Sequence, residues 1–292
     1  MEACLAIDIG GTKLACGVVS AEGKLRSAST VATPEGDDPE ALFSVLAGLV
    51  RDVSAGEPGL SVCGVGCGGP MSSHGEEVSP LNIPAWVRFP LRSRLEELTG
   101  LAVHVDNDAK ALALAEGWVG AARGRRNFMA MVVSTGVGGG IVSDGHLLDG
   151  RLGNAGHIGH LNVEPAGRVC RCGARGCLEA EASGRAIAAV TGRPPREAGA
   201  EVVERTGRLV GRAVASVSNL LDLDLTVIAG SVALGFGRPF FEAASSELAA
   251  QAKLEFSRGS SLAPAGLGAD GPLTGAGAVG WHALGRVRLG ES

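Results

Sequence analysis

Apolar residues fall along this chain in two alternating patterns, short continuous runs and positions at helical spacing. The continuous runs predict buried strands, among them residues 3–10, 60–67 and 225–229, and each run leads into glycine. The helical spacing predicts amphipathic helices over residues 39–54 and 200–221. Strands that alternate with helices in this way indicate an α/β protein.

Shorter signals supply the remaining elements and point to an internal repeat. A shift of 123 positions lays residues 17–20 over residues 140–143, so a strand, glycine turn and strand occur twice. The match is short, and two generic hairpins would also produce it. The further predicted elements are strands at 14–20, 101–106, 129–133 and 141–143, and helices at 91–98 and 108 to about 117.

A break in the apolar pattern places a lobe boundary near the middle of the chain. Gly and Arg residues interrupt the pattern at residues 119–126. We therefore predict a small N-terminal lobe of residues 1–120, completed by a C-terminal helix at about 275–292. The large C-terminal lobe is predicted to span residues 121–274.

Composition narrows the class of protein. The chain has 292 residues, of which 45% are hydrophobic and 3% aromatic, so we expect two lobes with aliphatic cores. Its 26 Lys and Arg against 31 Asp and Glu give a net charge of −5, which disfavours binding to nucleic acid. The sequence shows no apolar run of membrane-spanning length, and Asp8 interrupts the run that a signal peptide would need. We expect neither nucleic-acid nor membrane partners.

The seven cysteines form two groups. Four lie in apolar runs and are expected to be buried free thiols, which favours a reducing, cytoplasmic location; they are Cys4, Cys16, Cys63 and Cys67. The other three follow a histidine in the pattern H-x9-C-x-C-x4-C, made by His160, Cys170, Cys172 and Cys177. One His and three Cys can close a tetrahedral Zn²⁺ site, and a closed ligand set is typical of structural zinc. A disulfide or unconnected thiols are the alternatives.

Residues 8–13 (DIGGTK) directly follow the first strand. Glycine N–H groups can point at phosphate oxygens, Thr12 and Lys13 add a hydroxyl and a cation, and Asp8 can hold Mg²⁺ through water. A tight hairpin without ligand is the alternative. A second glycine-rich turn, STGVGGG at residues 134–140, occupies the matching place in the other half. Two such turns favour a nucleotide whose phosphates both turns bind.

Asn107 and Asp108 end a predicted strand and open a helix. Both residue types are favoured at a helix N-cap, which is one interpretation of the pair. The other is catalytic: Asp108 would accept the proton of a substrate hydroxyl as that oxygen attacks a γ-phosphoryl group. The two phosphate turns favour the catalytic interpretation.

Taken together, these motifs resemble the ROK family of sugar kinases and related repressors. The resemblance extends over nearly the whole chain. It rests on DIGGTK at 8–13, N-x-P-x-W at 82–86, NDA at 107–109, STGVGGG at 134–140, GHIGH at 156–160, CRCGARGCLEA at 170–180 and AGS at 229–231. It implies an actin-like ATPase fold, in which two ribonuclease H-like lobes surround a central cleft. It also implies γ-phosphoryl transfer from Mg-ATP to the 6-hydroxyl of a hexose.

Matching positions then imply roles for individual residues. Asp108 is implied to be the catalytic base. Structural Zn²⁺ is implied at His160, Cys170, Cys172 and Cys177, in a loop of residues 157–179. Sugar hydroxyls are implied to be bound by Asn82, Asn107, Asp108, His157, His160 and Glu179. ATP phosphates and Mg²⁺ are implied to be held by Asp8, Gly10, Gly11, Thr12, Lys13, Thr135, Gly136, Gly138 and Gly230.

His157 departs from the common family pattern. Most members have Glu here, in the motif GEIGH, whereas bacterial N-acetylmannosamine kinases of the family are similar to this chain in having GHIGH. A neutral His offers one donor and one acceptor, whereas a carboxylate only accepts. The segment PLNIPAW and the residues after it look like the glucokinase branch.

We therefore predict an ATP-dependent hexose kinase, with glucose as the first expected substrate. N-acetylmannosamine or another N-acetylhexosamine is the alternative. A non-catalytic sugar sensor is a further alternative, but a sensor would be expected to lose Asp108 or a phosphate turn, and both are present. Family repressors carry a helix-turn-helix domain before the kinase-like fold, and we expect none before the DIGG motif that begins at residue 8. The resemblance implies a homodimer or higher homo-oligomer.

Overall fold

The computed structural model describes residues 2–291, which divide into two compact units. The first unit takes the described residues within Met1–Gly124, Leu147–Ala155 and Leu267–Ser292, and the second takes Arg125–His146 and Gly156–Gly266. The lobe division at residues 120 and 274 stays a prediction, because compactness alone does not show that a unit folds by itself. Its terminal positions, 1 and 292, lie outside the described residues.

A five-stranded mixed sheet forms the centre of the first unit. Its strands are β1 (Ala3–Ile9), β2 (Lys13–Ser20), β3 (Leu25–Ala32), β4 (Leu60–Cys67) and β5 (Val103–Asn107). They lie in the order β3-β2-β1-β4-β5; β2 is antiparallel to both of its neighbours, whereas β4 is parallel to both β1 and β5. Strand β1 is buried along its whole length, as its continuous apolar run predicts.

The second unit repeats this topology. Its strands are β6 (Phe128–Val133), β7 (Val137–Ser143), β8 (His146–Leu147), β9 (Leu225–Ala229) and β10 (Ser261–Pro264). They lie in the order β10-β9-β6-β7-β8, with β6–β7 antiparallel and β6–β9 and β9–β10 parallel. Counted from β6, this is the strand order of the first unit, so the topology confirms the internal repeat inferred from the two hairpins.

Helices cover both faces of the first sheet. In the described residues the helices are, in chain order, α1 (Pro39–Ser54), α2 (Leu91–Thr99), α3 (Asp108–Trp118), α4 (Leu178–Ala182), α5 (Gly184–Thr191), α6 (Ala200–Leu221), α7 (Ser231–Phe236), α8 (Arg238–Gln251) and α9 (Gly271–Ala283). Leu46 and Val50 of α1 and Leu95 of α2 belong to the buried core on one face of the sheet. Helix α9 lies against the sheet too, and its Trp281 Nε1 donates to the carbonyl of Val19.

The C-terminal helix differs from the prediction of about 275–292. It begins earlier, at Gly271, because Pro272 has the φ that a first helical turn requires. It ends at Ala283, and Gly285 then adopts a left-handed φ of +71°, the conformation in which many helices stop. Residues 284–291 therefore do not continue the helix.

None of the helices within residues 2–291 combines the length and the apolar composition that crossing a bilayer would require.

Candidate functional site

Two carboxylates lie at the ends of β1 and β5, the strands on either side of β4 in the first sheet. Asp8 is on β1 and Asp108 opens α3 directly after β5, and the intervening β4 is in register with both strands. A Cβ built on Gly66 of β4 would be 3.7 Å from Asp8 Oδ1 and 3.7 Å from Asp108 Cα. The sheet therefore brings the predicted base and the predicted magnesium-holding carboxylate together.

The ionisation of Asp8 is opposed by its surroundings. Its pKa is raised to about 7, chiefly because burial desolvates the carboxylate and also because Asp108 lies nearby, while Lys13 offsets part of the rise. A divalent cation would favour the ionised form and prefers oxygen ligands. The residue type and the charge around Asp8 thus both fit a Mg²⁺ ion.

The first phosphate turn joins β1 to β2. The backbone N–H of Gly10 donates to Lys13 O at 3.0 Å, and Thr33 Oγ1 donates to Gly10 O at 2.7 Å. At Gly11 a Cβ would lie 2.7 Å from the Cβ of Asn82, so a larger residue would displace the segment that carries Asn82. Gly11, Thr12 and Asn82 line a cavity of about 470 Å³. The turn therefore presents its hydroxyl and backbone to an open space beside a predicted sugar-binding residue.

Asn107 and Asp108 also cap α3, as the N-cap interpretation predicts. Asn107 Oδ1 accepts from Ala109 N at 3.0 Å, and Asp108 Oδ1 accepts from the same N–H at 2.8 Å. Capping engages one oxygen of each side chain. The Nδ2 amide of Asn107 is a donor that this capping does not use, so the two interpretations of the pair are compatible.

A lysine that the sequence reasoning missed lies just beyond the predicted base. Lys110 is on the first turn of α3, and its side chain is 1% exposed. Its ammonium contacts Asp106 at 2.8 Å and Asp149 at 2.5 Å. Helical lysines are usually exposed, so the sequence carried no signal for this burial.

The second phosphate turn joins β6 to β7 in the second unit. Ser134 N donates to Gly136 O at 2.9 Å, which makes Thr135 the tip of the turn. Gly230 follows β9 with a φ of +103°, and a Cβ there would lie 2.3 Å from Val133 O. The hydroxyls of Ser134 and Ser231 are 3.0 Å apart. The fold thus brings Gly230 close to the turn that follows β6, and its role in binding phosphate stays a prediction.

The four predicted zinc ligands cluster together. The ligand atoms of His160, Cys170, Cys172 and Cys177 all lie within 4.8 Å of one another. Cys172 Sγ and Cys177 Sγ are 3.7 Å apart, and so are Cys170 Sγ and His160 Nδ1. A tetrahedron of thiolates about 2.3 Å from Zn²⁺ has edges of about 3.8 Å. The donor set and its spacing therefore fit zinc, and the sulfur separation is too long for a disulfide.

The same loop presents the predicted sugar-binding residues of the second unit. Glu179 is in the first turn of α4, and its Oε2 accepts from Val137 N at 3.0 Å, next to the phosphate turn. The rings of His157 and His160 are nearly parallel, with centroids 6.2 Å apart. Because His160 Nδ1 faces the cysteines, its Nε2 points away from them. The four predicted zinc ligands thus share a loop with three residues able to bind hydroxyls.

The predicted residues fall into one group in each unit. The first unit holds Asp8, Gly10, Gly11, Thr12, Lys13, Asn82, Asn107 and Asp108. The second unit holds Thr135, Gly136, Gly138, His157, His160, Cys170, Cys172, Cys177, Glu179 and Gly230. Their roles in catalysis and binding stay predictions.

Fold and site together define a class. The two mixed sheets of repeated topology, each with a glycine-rich hairpin at the same place, form the actin-like ATPase fold, and the relatives of this chain include proteins named as sugar kinases. The protein is an ATP-dependent sugar kinase. The chain belongs to the ROK family, whose sequence profile matches residues 4–281.

Individual relatives differ in the sugar that their names give. An N-acetylmannosamine kinase of Escherichia fergusonii is 38% identical over 250 residues, which cover 80% of this chain and 84% of the relative. A ROK family glucokinase from Streptomyces griseus, solved with glucose and AMPPNP, has a TM-score of 0.85 at 29% identity and covers 96% of this chain and 100% of its own. A ROK hexokinase from Thermus thermophilus has a TM-score of 0.81 at 35% identity, covering 97% and 99%.

Proposed function

We propose that this kinase phosphorylates N-acetylmannosamine or a related N-acetylhexosamine at the 6-hydroxyl. The observation that carries the proposal is the 38% identity, over 80% of the chain, to a protein named N-acetylmannosamine kinase. His157 supports it chemically. An N-acetyl carbonyl needs a hydrogen-bond donor, which a neutral His can supply and a carboxylate cannot.

Asp108 is the proposed base. It accepts the proton of the 6-hydroxyl as that oxygen bonds to the γ-phosphorus, while the bond from phosphorus to the ADP oxygen breaks. Asp8 would hold Mg²⁺, which when bound neutralises phosphate charge. Lys13, the hydroxyls of Thr12 and Thr135, and the glycines of the two turns and Gly230 bind the phosphates.

Polar side chains in each group are proposed to bind sugar hydroxyls. Asn107 and Asp108 lie together at the start of α3, and Asn82 lies beside the first phosphate turn. In the second unit, His157 supplies one hydrogen-bond donor and one acceptor. His160 supplies its Nε2 atom, and Glu179 supplies a carboxylate. Zn²⁺ on His160 and the three cysteines would hold this loop in shape and take no part in the chemistry.

We also expect a homodimer or higher homo-oligomer, from the family resemblance.

Glucose is the second candidate substrate, and it was the first expectation from the sequence. It is not confirmed, although the structural similarity to the Streptomyces griseus glucokinase favours it. A hydroxyl at carbon 2 can also bond to a neutral His, so His157 does not exclude glucose.

The proposal is tested by comparing sugars in one coupled ADP-release assay with Mg-ATP. The panel is N-acetylmannosamine, N-acetylglucosamine, glucose and a blank without sugar. We expect kcat/KM for N-acetylmannosamine to exceed that for glucose by about tenfold, which corresponds to about 1.4 kcal/mol, the size of one hydrogen bond. A preference for glucose would overturn the proposed substrate while leaving the sugar-kinase class intact.

A further inference from the structure

Lys110 is a buried cation between two carboxylates, and no part of the proposed reaction uses it. Its Nζ lies 2.8 Å from Asp106 Oδ1 and 2.5 Å from Asp149 Oδ1, with Gly153 O at 3.4 Å. The three contacts match the three N–H donors of an ammonium group. Lys110 is therefore fully occupied as a donor and is not placed to bind a ligand itself.

The charges of this cluster stabilise one another. Burial alone would lower the pKa of Lys110, but the two carboxylates outweigh it and the pKa is raised. The pKa of Asp106 is raised by burial, and Lys110 opposes part of that rise. Removing one member of a buried ion pair leaves an uncompensated charge, which is far more unfavourable than losing a surface pair. Breaking the Lys110–Asp106 pair is therefore expected to be strongly unfavourable.

Two members of the cluster flank the predicted catalytic residues in the chain. Asp106 and Lys110 lie on either side of Asn107 and Asp108, at the end of β5 and in the first turn of α3. The two ionic residues thus hold the strand end and the helix start to each other across the two residues that would act on the sugar.

The cluster also fixes a separate stretch of the first unit, Leu147–Ala155. Asp149 and Gly153 of this stretch both contact the Lys110 ammonium. Asn154 attaches this stretch at a second point. Its side chain accepts a hydrogen bond from Met71 N at 3.2 Å and donates one to Met71 O at 2.9 Å. In the chain this stretch leads directly into His157.

We propose that Lys110 is a positioning residue for phosphoryl transfer, which through Asp106 and Asp149 fixes the orientation of Asp108 and Asn107. The inference rests on the proposed role of Asp108 as the base. Misplacement of a reacting group by about 1 Å can lower the rate by about 100-fold.

The test uses Lys110→Met, which removes the charge at similar length, Asp149→Asn, and the double variant, all in the full-length chain. We expect Lys110→Met to lower kcat by about 10- to 100-fold with KM for the sugar within about threefold of wild type. Asp149→Asn, whose side chain is 71% exposed, should fold normally and lower kcat by a smaller factor of about 3 to 10. The kcat of the double variant should lie within about twofold of the kcat of Lys110→Met, because both changes break the same interaction.

Lys24→Met is the matched control, since Lys24 is an exposed lysine of the same unit, and it should keep wild-type kcat. The inference is overturned if Asp149→Asn has wild-type kcat, if KM rises while kcat stays constant, or if the two effects multiply in the double variant. If Lys110→Met does not fold, Asp149→Asn alone decides. Wild type must first turn over a sugar in the same assay, and its failure to do so would count against the proposed function instead.

Discussion

At the scale of single residues, the first unit places two carboxylates of like charge, Asp8 and Asp108, close together. The sequence predicted Asp8 and Asp108 as site residues, because each carboxylate stands at a strand end beside a recognisable motif. It could not predict that Asp8 is buried against Asp108, because that depends on the register of β1, β4 and β5. The raised pKa of Asp8 is therefore a property of the sheet.

This pKa has a consequence for the stability of the metal-free protein. The pKa of Asp8 rises from 3.8 to about 7 on folding, so the folded chain keeps a proton that the unfolded chain has lost between these pH values. The contribution of Asp8 to the free energy of unfolding therefore falls as pH rises from about 4 to about 7. Asn cannot ionise, so Asp8→Asn removes this pH dependence. We predict that the change in the free energy of unfolding caused by Asp8→Asn is more stabilising at pH 8 than at pH 5, by roughly 1–3 kcal/mol, in the metal-free protein.

The measurement is the melting temperature of wild type and variant at both pH values, in buffer with a magnesium chelator. Asp52→Asn is the control, because Asp52 is exposed on α1 and should give the same difference at pH 5 and pH 8. An Asp8→Asn variant that is destabilised equally at both pH values would show that Asp8 is ionised without a cation.

At the scale of elements, strongly apolar or clearly amphipathic segments were predictable, and segments with a weak apolar pattern were not. The helix predicted at 200–221 is α6, and the strand predicted at 225–229 is β9. Strand β3 was missed because it lies at the sheet edge with mostly exposed polar residues. The end of α9 was wrong because the sequence pattern gave no weight to the left-handed Gly285.

The predicted zinc loop, residues 157–179, contains little regular secondary structure. Its ligands come from a 3₁₀ turn at Ile158–His160 and from residues 170–177, and Cys172 is exposed. The backbone N–H of Ala174 is the main cause of the lowered pKa of the Cys172 thiol. A loop of this kind is expected to lose its order when the metal is lost.

We predict that Cys172→Ser loses zinc and activity together. Metal analysis of the purified variant should give well under half the zinc of wild type, and kcat should fall by about tenfold or more because His157, His160 and Glu179 lose their support. Arg171→Gln, a change at the exposed neighbour of two ligands, should keep both zinc and turnover. A fully active wild type that contains no zinc would contradict the assignment.

At the scale of the whole molecule, the chain carries the same strand order twice, and each copy carries one group of the predicted site residues. The short repeat of residues 17–20 at 140–143 and the two glycine-rich turns were the traces of this repeat that the sequence showed. Family motifs allowed the site residues to be named in advance. The ion-pair cluster of Lys110, Asp106 and Asp149 was not predictable, because Asp149 is far from the other two residues in the chain and the burial of Lys110 depends on the fold.

The central claim is that this chain transfers the γ-phosphoryl group of Mg-ATP to a sugar 6-hydroxyl with Asp108 as base. The most direct test is ³¹P NMR of wild type and Asp108→Asn incubated with Mg-ATP and N-acetylmannosamine. We predict that wild type converts ATP to ADP with the appearance of a 6-phosphate monoester, and that Asp108→Asn forms it at least about 1,000-fold more slowly while binding the sugar with similar affinity. Near-normal product formation by Asp108→Asn, or release of inorganic phosphate without a sugar phosphate, would contradict the account.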